Sequence, residues 1–345
     1  MNASALDAAL RDAVPVDIAG IVLPGAYGDV SKERAALAHE AAKCDRSAAG
    51  IVEVRGADAR TFLHALVSQD LLHATPPAAV HTLLLQPTGK LEVDMRARIA
   101  APDVVWLDVE LGRTDALIAA LTRFKIRVDV TITDASEALA RFEVRGPKSR
   151  AVLAQALGAE LPEDPSCAVV LDDLWIVPSR WPELPGYELI GPRAAIRTWW
   201  ETIDIPAAGW WAREDARIAN GVPRDGVDID SDTIPQEAFL EADAISFTKG
   251  CFLGQELVCR IDSRGHVNRF LRRLDIARSI PPVGAAIFAG EREVGRITSV
   301  STREPGAIAL AMIRREVEPG DAVSVRWDAH EATAHVVGID DTEMR

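Results

Sequence analysis

The amino-acid sequence predicts an α+β region over residues 1–269 followed by a small β-barrel over residues 270–345. Three observations carry this. A chain of 345 residues exceeds what one hydrophobic core usually supports, so two or three domains are expected. Residues 51–67 (IVEVRGADARTFLHALV) are echoed by residues 141–157 (RFEVRGPKSRAVLAQAL) at a constant offset of 90. After Arg273 the texture changes to short alternating runs separated by Pro and Gly, the pattern of a small closed β structure.

The echo is close in detail. Glu53, Val54, Arg55 and Gly56 recur as Glu143, Val144, Arg145 and Gly146, and Arg60 recurs as Arg150. Each copy reads as a short strand, a glycine turn and a helix with an i, i+1, i+4, i+5 apolar stripe. Two copies are too few for a solenoid and point instead to an α+β core with pseudo-twofold character. Between them, HTLLLQPTGKLEVDMRARI (81–99) reads as two strands joined at Pro87-Thr88-Gly89, and VVWLDVEL (104–111) as another strand. A helix is expected at about 114–124 and a strand at about 126–132. LWIVPS reads as a strand, 191–203 and 211–220 as helices. LRRLDI, AAIFAG, REVGRITSVS, AIALAMI, AVSVRW and ATAHVVGI are the barrel strands, and the final DDTEMR is expected to fray.

Composition narrows the function classes. The chain has 48% apolar and 26% charged residues, as ordinary globular proteins do. No apolar run is long enough to span a membrane, and the first residues, MNASALDAALRDAV, carry acids where a signal peptide carries bases, so neither membrane insertion nor secretion is expected. Four dispersed cysteines form no disulfide framework, which fits a reducing cytoplasm. The net charge of −14 repels phosphate backbones and disfavours nucleic acid as a partner. A monomer is expected; the pairs Trp199-Trp200 and Trp210-Trp211 suit either core or a contact surface, core being favoured.

Several familiar sites are missing: there is no G-x-G-x-x-G, Walker loop, G-x-S-x-G or H-E-x-x-H. His330 and His335 fall on opposite faces of one strand, and Cys251 and Cys259 lack metal-ligand spacing, so no metal is expected. What remains is SFTKGCFLGQE (246–256). Leu253, Leu257 and Ile261 suggest a helix starting near Phe252, which would put Cys251 just before exposed backbone N–H groups. Lys249 would add positive charge, Gly250 and Gly254 would permit close backbone approach, and Gln255 and Glu256 would hydrogen-bond a flat polar heterocycle. Spacing alone equally allows a small buried cysteine, a packing glycine and a solvated lysine. Arg260–Arg273 carries five arginines (Arg260, Arg264, Arg269, Arg272, Arg273) against one acid, a candidate anion site. Asp94, on the strand after a glycine turn, could face a ligand or solvent. RIANGVPRDGVDI (217–229) with IPQEA (234–238) is a loop of the kind that borders sites.

SFTKGCFLGQE closely resembles the K-G-C-[FY]-x-G-Q-E signature of the YgfZ-type folate-binding proteins, relatives of the glycine-cleavage T-protein (aminomethyltransferase). IVEVRGADARTFLHALVSQD, RIANGVP, IPQEA, RGHVNRFLRRL and REVGRITSV fit the same family, so the resemblance spans about residues 15–340. It implies a ring-like, tetrahydrofolate-binding α+β body with a C-terminal barrel. For the YgfZ-type branch it also implies a role in assembly or repair of iron–sulfur clusters in client enzymes. The resemblance assigns the functionally important thiol to Cys251 and the ligand cradle to Lys249, Gly250, Gly254, Gln255 and Glu256. Arg217, in the RIANGVP segment, and Arg260 and Arg264, toward the anionic tail, are counted with it. T-proteins instead resemble K-G-D-F-x-G-K-E here, carry a G-Y-T-G-E-D-G run where this chain has RWPELPGYEL, and have an Asp-Asp pair where this chain has Val93-Asp94. Asp94 matches the aspartate placed near folate N5.

Three functions follow as expectations. The first is a cytosolic helper of iron–sulfur protein maturation that binds tetrahydrofolate or a one-carbon derivative, with iron–sulfur clients or assembly proteins as partners. The second is a folate-dependent aminomethyl- or methyltransferase in which Asp94 orients the amine or the folate N5 electrostatically. The third is an interaction module that has lost its folate site.

Overall fold

The computed structural model describes residues 4–339. The tail expected to fray, 340–345, lies outside them. The fold forms two compact units, neither continuous in sequence. The first holds the chain up to Leu84, Val93–Arg213 and Thr248–Phe252, and the second holds Leu85–Glu92, Glu214–Phe247 and the chain from Leu253 onward.

The first unit opens with α1 (Asp7–Leu10), the hairpin β1 (Val14–Ile18) and β2 (Ile21–Ala26), α2 (Val30–His39) and β3 (Ala42–Asp45). The first copy of the echo follows as β4 (Ile51–Arg55), α3 (Ala59–Leu66), β5 (Ala78–Leu85), β6 (Leu91–Ala101), β7 (Val104–Val109), α4 (Thr114–Thr122) and β8 (Thr131–Asp134). The second copy is β9 (Leu139–Arg145), α5 (Ser149–Leu157), β10 (Val169–Leu171), β11 (Leu174–Pro178), β12 (Gly186–Pro192) and α6 (Arg193–Thr202). The two sheets have orders β5-β6-β7-β4-β8 and β10-β11-β12-β9-β3, so four strands repeat one for one and only the edge strand comes from a different place in the chain.

The echo in sequence is an echo in hydrogen bonds. Gly56 N–H donates to the Asp103 carbonyl and Gly146 N–H to the Pro185 carbonyl, each at 2.9 Å. Both glycines have positive φ (143° and 127°), where any side chain is strained. Arg60 donates to the Leu71 carbonyl at 2.6 Å and Arg150 to that of Leu161 at 3.2 Å. The partners keep the same 90-residue offset, so each helix uses its arginine to pin the loop that follows.

The strand expected at 126–132 starts only at Thr131. The preceding residues are spent on the glycine turn: Asp129 N–H donates to the Asp58 carboxylate at 2.8 Å and its carbonyl accepts from Asp58 N–H at 3.3 Å. Side-chain alternation carried no trace of this backbone use.

The inner faces of the sheets meet around Ile51, Leu139, Trp175 and Ile190, with Trp106 edge-on to Trp175 at 5.6 Å. Charge fills the rest. Arg98, fully buried, donates to Asp108 at 2.5 Å and to Glu188, and Arg141 pairs with Asp108 at 3.2 Å. Burial raises the Glu188 carboxyl, but Arg96, Arg98 and Arg141 outweigh it and hold it down at about 2. Beside this, Glu143 accepts both Nε and Nη2 of Arg213 at 3.0 and 2.9 Å and Nε of Arg145 at 3.3 Å.

Helix α7 (Trp210–Ala219) begins in the first unit and ends in the second. The second unit continues with a 3₁₀ turn (Pro235–Ala238), α8 (Glu241–Ala244) and α9 (Gln255–Arg264). Strands β13 (Arg269–Ala277), β14 (Ala286–Ala289), β15 (Arg292–Arg303), β16 (Gly306–Arg314), β17 (Ala322–Trp327) and β18 (His330–Val337) then close a barrel in the order β13-β16-β15-β14-β17-β18. Its core is Leu274, Ile287, Ile297, Ala309, Ala311, Ile313, Val325 and Ala334, and closure leaves no open sheet edge.

Equivalent arginines of the two copies have unlike environments: Arg55 pairs with Glu53 at 54% side-chain exposure, whereas Arg145 pairs with Glu143 at 0%. In urea melts, Arg55→Met is expected to change stability by less than about 0.5 kcal/mol. Arg145→Met is expected to cost about 3–5 kcal/mol by stranding a buried carboxylate. Because the Glu188 carboxyl lies below its ordinary 4.5, its contribution to stability is complete above that pH and is lost as pH falls toward 2. Glu188→Gln should therefore flatten the acid limb of stability against pH in that window.

Candidate functional site

The motif SFTKGCFLGQE is not a helix from Phe252. Helix α9 begins at Gln255, with Gly254 at its N-cap in the left-handed region (φ 76°). Cys251 therefore lies outside any helix or strand, four residues before the first helical residue, and it is exposed. The expected helix-terminal setting for the thiol is corrected accordingly, and the alternative of a buried core cysteine is also removed.

Lys249 is half-buried and binds protein rather than presenting charge. Its Nζ donates to the carbonyls of His64, Val67 and Gln69 at 2.5, 2.7 and 3.2 Å, and lies 5.4 Å from the Phe252 ring centroid. These carbonyls belong to the end of α3 and the chain just beyond it, where a helix has no partners of its own. Burial pushes the ammonium down to about 8, against the Asp70 carboxylate, which raises it. Asp70 accepts from His73 Nδ1 at 2.6 Å and stands 3.5 Å from His64 Nδ1. Burial, then Lys249, lower His64.

Gly250 has open space around it, while Gly254 is tightly packed. A side chain at Gly254 would strike the Gln86 carbonyl, and one at Gly89 (φ 80°) would meet Leu257 Cβ at 2.6 Å. The glycine turn of QPTGK thus interlocks with the start of α9 inside the second unit. The close backbone approach expected at Gly254 is real, but its partner is protein.

Asp94, on β6, is 23% exposed and its Oδ1 lies 2.6 Å from His81 Nε2 on β5. His81 is the residue that sequence reading passed over. It was legible as the only polar ring on a hairpin arm facing the arm that carries Asp94, but register across the turn decides whether they meet.

Arg217 is turned to protein partners. It is buried, and all five of its N–H groups are committed: to Glu214 twice, the Val222 carbonyl, Asp228 at 2.7 Å and Ser299 at 2.8 Å. Asp228 also accepts from Thr298 and Ser299 at 2.5 and 2.7 Å, so RIANGVPRDGVD is tied to the ITS segment of β15. The arginine cluster disperses as well. Arg269 pairs with Glu237 at 3.0 Å, Arg272 is buried against Phe270 and Phe239, and Arg273 donates to the Ala219 carbonyl. Only Arg260 and Arg264 remain exposed; they share one face of α9 with Glu256 at i, i+4 and i+8, while Gln255 is half-buried. Among the described residues no group of three or more His, Cys, Asp or Glu could hold a metal ion, and no helix is long and apolar enough to cross a membrane.

Two five-stranded sheets in one unit and a closed six-stranded barrel in the other define the class of fold, and comparison with known proteins gives the family. Residues 8–249 match the GCVT N-terminal domain model. The chain belongs to this family, which binds tetrahydrofolate. It is 29% identical over 323 residues to an aminomethyltransferase of Bordetella parapertussis, covering 90% of this chain and 87% of that protein. It is 28% identical over 340 residues to an aminomethyltransferase of Mycobacterium avium, covering 93% and 91%. The crystal structure of glycine cleavage system aminomethyltransferase T from Bartonella henselae shares the fold, with TM-score 0.84, 23% identity and coverage of 95% of this chain and 93% of that one.

Two outcomes follow from this geometry. A brief iodoacetamide pulse on the native protein, read by mass spectrometry, should modify Cys251 and the exposed Cys167. It should spare Cys44, which burial, with Glu143 adding, pushes up to about 12 against the opposing charges of Arg213, Arg145 and Arg46. Lys249 adds a pH dependence of definite sign. A lysine lowered from 10.5 to about 8 is buried at a cost that is complete below pH 8 and relieved as pH rises to 10.5. Opening of residues 249–252, corrected for intrinsic exchange rate, should therefore become rarer by up to about tenfold per pH unit across that window. Lys249→Arg should abolish the dependence.

Proposed function

We propose that the protein binds tetrahydrofolate or a one-carbon derivative and handles a one-carbon unit on it, as the aminomethyltransferases do. The observation that carries this is similarity to aminomethyltransferases over nine-tenths of the chain, supported by family membership.

The residues suit such a ligand chemically. A reduced pterin offers a row of N–H donors, so its holder needs a carboxylate. Asp94 supplies a partly exposed carboxylate whose direction is fixed by His81. The cofactor would supply the nucleophilic nitrogen that accepts the one-carbon unit. Asp94 would orient the donor amine or the cofactor nitrogen and stabilise positive charge beside it.

A second reading is favoured by one specific feature. Cys251 and Gln255 stand where the T-protein signature resembles Asp and Lys, and the Cys251 thiol is exposed. In this reading the same folate-binding body assists the assembly or repair of iron–sulfur clusters in client enzymes, and Cys251 is the working group.

Calorimetric titration with tetrahydrofolate tests the common part: wild-type protein should bind, and Asp94→Ala should weaken binding about ten- to a hundredfold, the worth of a hydrogen bond to a charged group. Absence of binding would remove both readings. Turnover of an aminomethyl donor that is lost in Asp94→Ala and kept in Cys251→Ala selects the transferase. Absence of turnover, together with loss of client-enzyme activity in Cys251→Ala cells, selects the second reading.

A further inference from the structure

We propose that Lys249 is a positioning residue for Cys251: by binding the carbonyls at the end of α3 it fixes where the neighbouring thiol is presented. The inference starts from an unfinished helix. The last carbonyls of a helix have no partners within it, and many helices end in a left-handed residue that supplies some. Helix α3 does not: its C-cap, Val67, is extended (φ −88°, ψ 158°). The cation that completes it comes from 182 residues further along, with Lys249 Nζ 2.7 Å from the Val67 carbonyl and the His64 and Gln69 carbonyls also within reach. An ammonium has three donors and a compact charge, which suits three converging carbonyls at the negative end of a helix.

The other end of the short segment is fixed too. Phe252 is buried, and its ring faces Nζ at 5.4 Å. Between these two anchors stand Gly250, with open space around it, and Cys251, exposed. The segment is thus a short arch with both feet held and the thiol on its span. A thiol on a free loop samples many positions, whereas one with residues i−2 and i+1 held is confined. The titratable groups around Lys249 include Asp70, which favours its charge and binds His73, and His64 on α3, whose charge Lys249 disfavours. This proposal deepens the reading of Cys251 as the working group and rests on it for its functional consequence, though not for the anchoring itself.

The test reads the arch and the function separately. Amide exchange is followed by mass spectrometry at pH 7 in the full-length wild type, Lys249→Met and Lys249→Arg. Lys249→Met should speed exchange at 249–252 at least tenfold while the strands β9 and β12 keep wild-type protection, and Lys249→Arg, which keeps charge and donors, should restore most of the loss. Unchanged exchange in Lys249→Met overturns the proposal. If Lys249→Met does not fold, Lys249→Gln, with two donors and no charge, is read by the same criterion. In the second arm, client-enzyme or transfer activity is measured for Lys249→Met, Cys251→Ser and the double variant. A double variant no worse than Cys251→Ser supports action through the thiol, and one as low as the product of the two single effects overturns it. Fast exchange in Lys249→Met beside a silent Cys251→Ser leaves the anchoring standing and removes the role given to the thiol.

Discussion

Arg98 enters the space between two sheets where it has no water, so the sheets close only if they deliver carboxylates to it. They do: Asp108 comes from its own sheet and Glu188 from the other. Arg141 returns the favour from the second sheet to Asp108. Removing ions from water costs several kcal/mol each, and the mutual attraction offsets this only when the geometry is good. The array is therefore weak evidence for extra stability and better evidence for register. A slip of one residue along β6, β7 or β12 would turn a charge to the opposite face and strand its partner. Apolar contacts such as Trp106 with Trp175 tolerate more displacement, because dispersion is nondirectional.

The two halves of the first unit show how one local sequence serves two environments. The Glu-x-Arg pair of each first strand is the same ion pair at positions i and i+2. In β4 it lies at the surface, with Glu53 also accepting from Trp106 at 3.1 Å. In β9 it is buried and joined by Arg213 and by the face of Trp181, 3.6 Å from the Arg145 guanidinium. Strand, turn and helix are specified locally in both. What surrounds them differs: the edge strand beside β4 is β8, whereas the one beside β9 is β3, and Arg213 comes to Glu143 from α7.

The candidate site follows the same logic of borrowed partners. Lys249 completes a helix far away in sequence, so its charge goes to backbone carbonyls rather than to an anion cradle. Arg217 likewise reads as a cationic site residue but is consumed by Asp228, Glu214 and Ser299. In both cases residue type was a fair guide to charge and a poor guide to its recipient.

The sequence by itself determined the elements and their repetition. Alternation gave β4, β6, β7 and the barrel strands, the apolar stripes gave α3 and α5, and the offset of 90 gave the pairing of the two halves, because each signal is local or self-similar. The resemblance singled out Cys251 and Asp94 as candidates. The tertiary structure decided the rest: that Asp94 faces His81, that Gly254 packs on Gln86, that α9 starts at Gln255, and that the arginines after Arg264 lie on β13 and go to separate partners. The physical reason is that hydrogen-bonding demand is fixed by residue type, whereas its satisfaction depends on which distant carbonyl or carboxylate the chain brings within three ångströms.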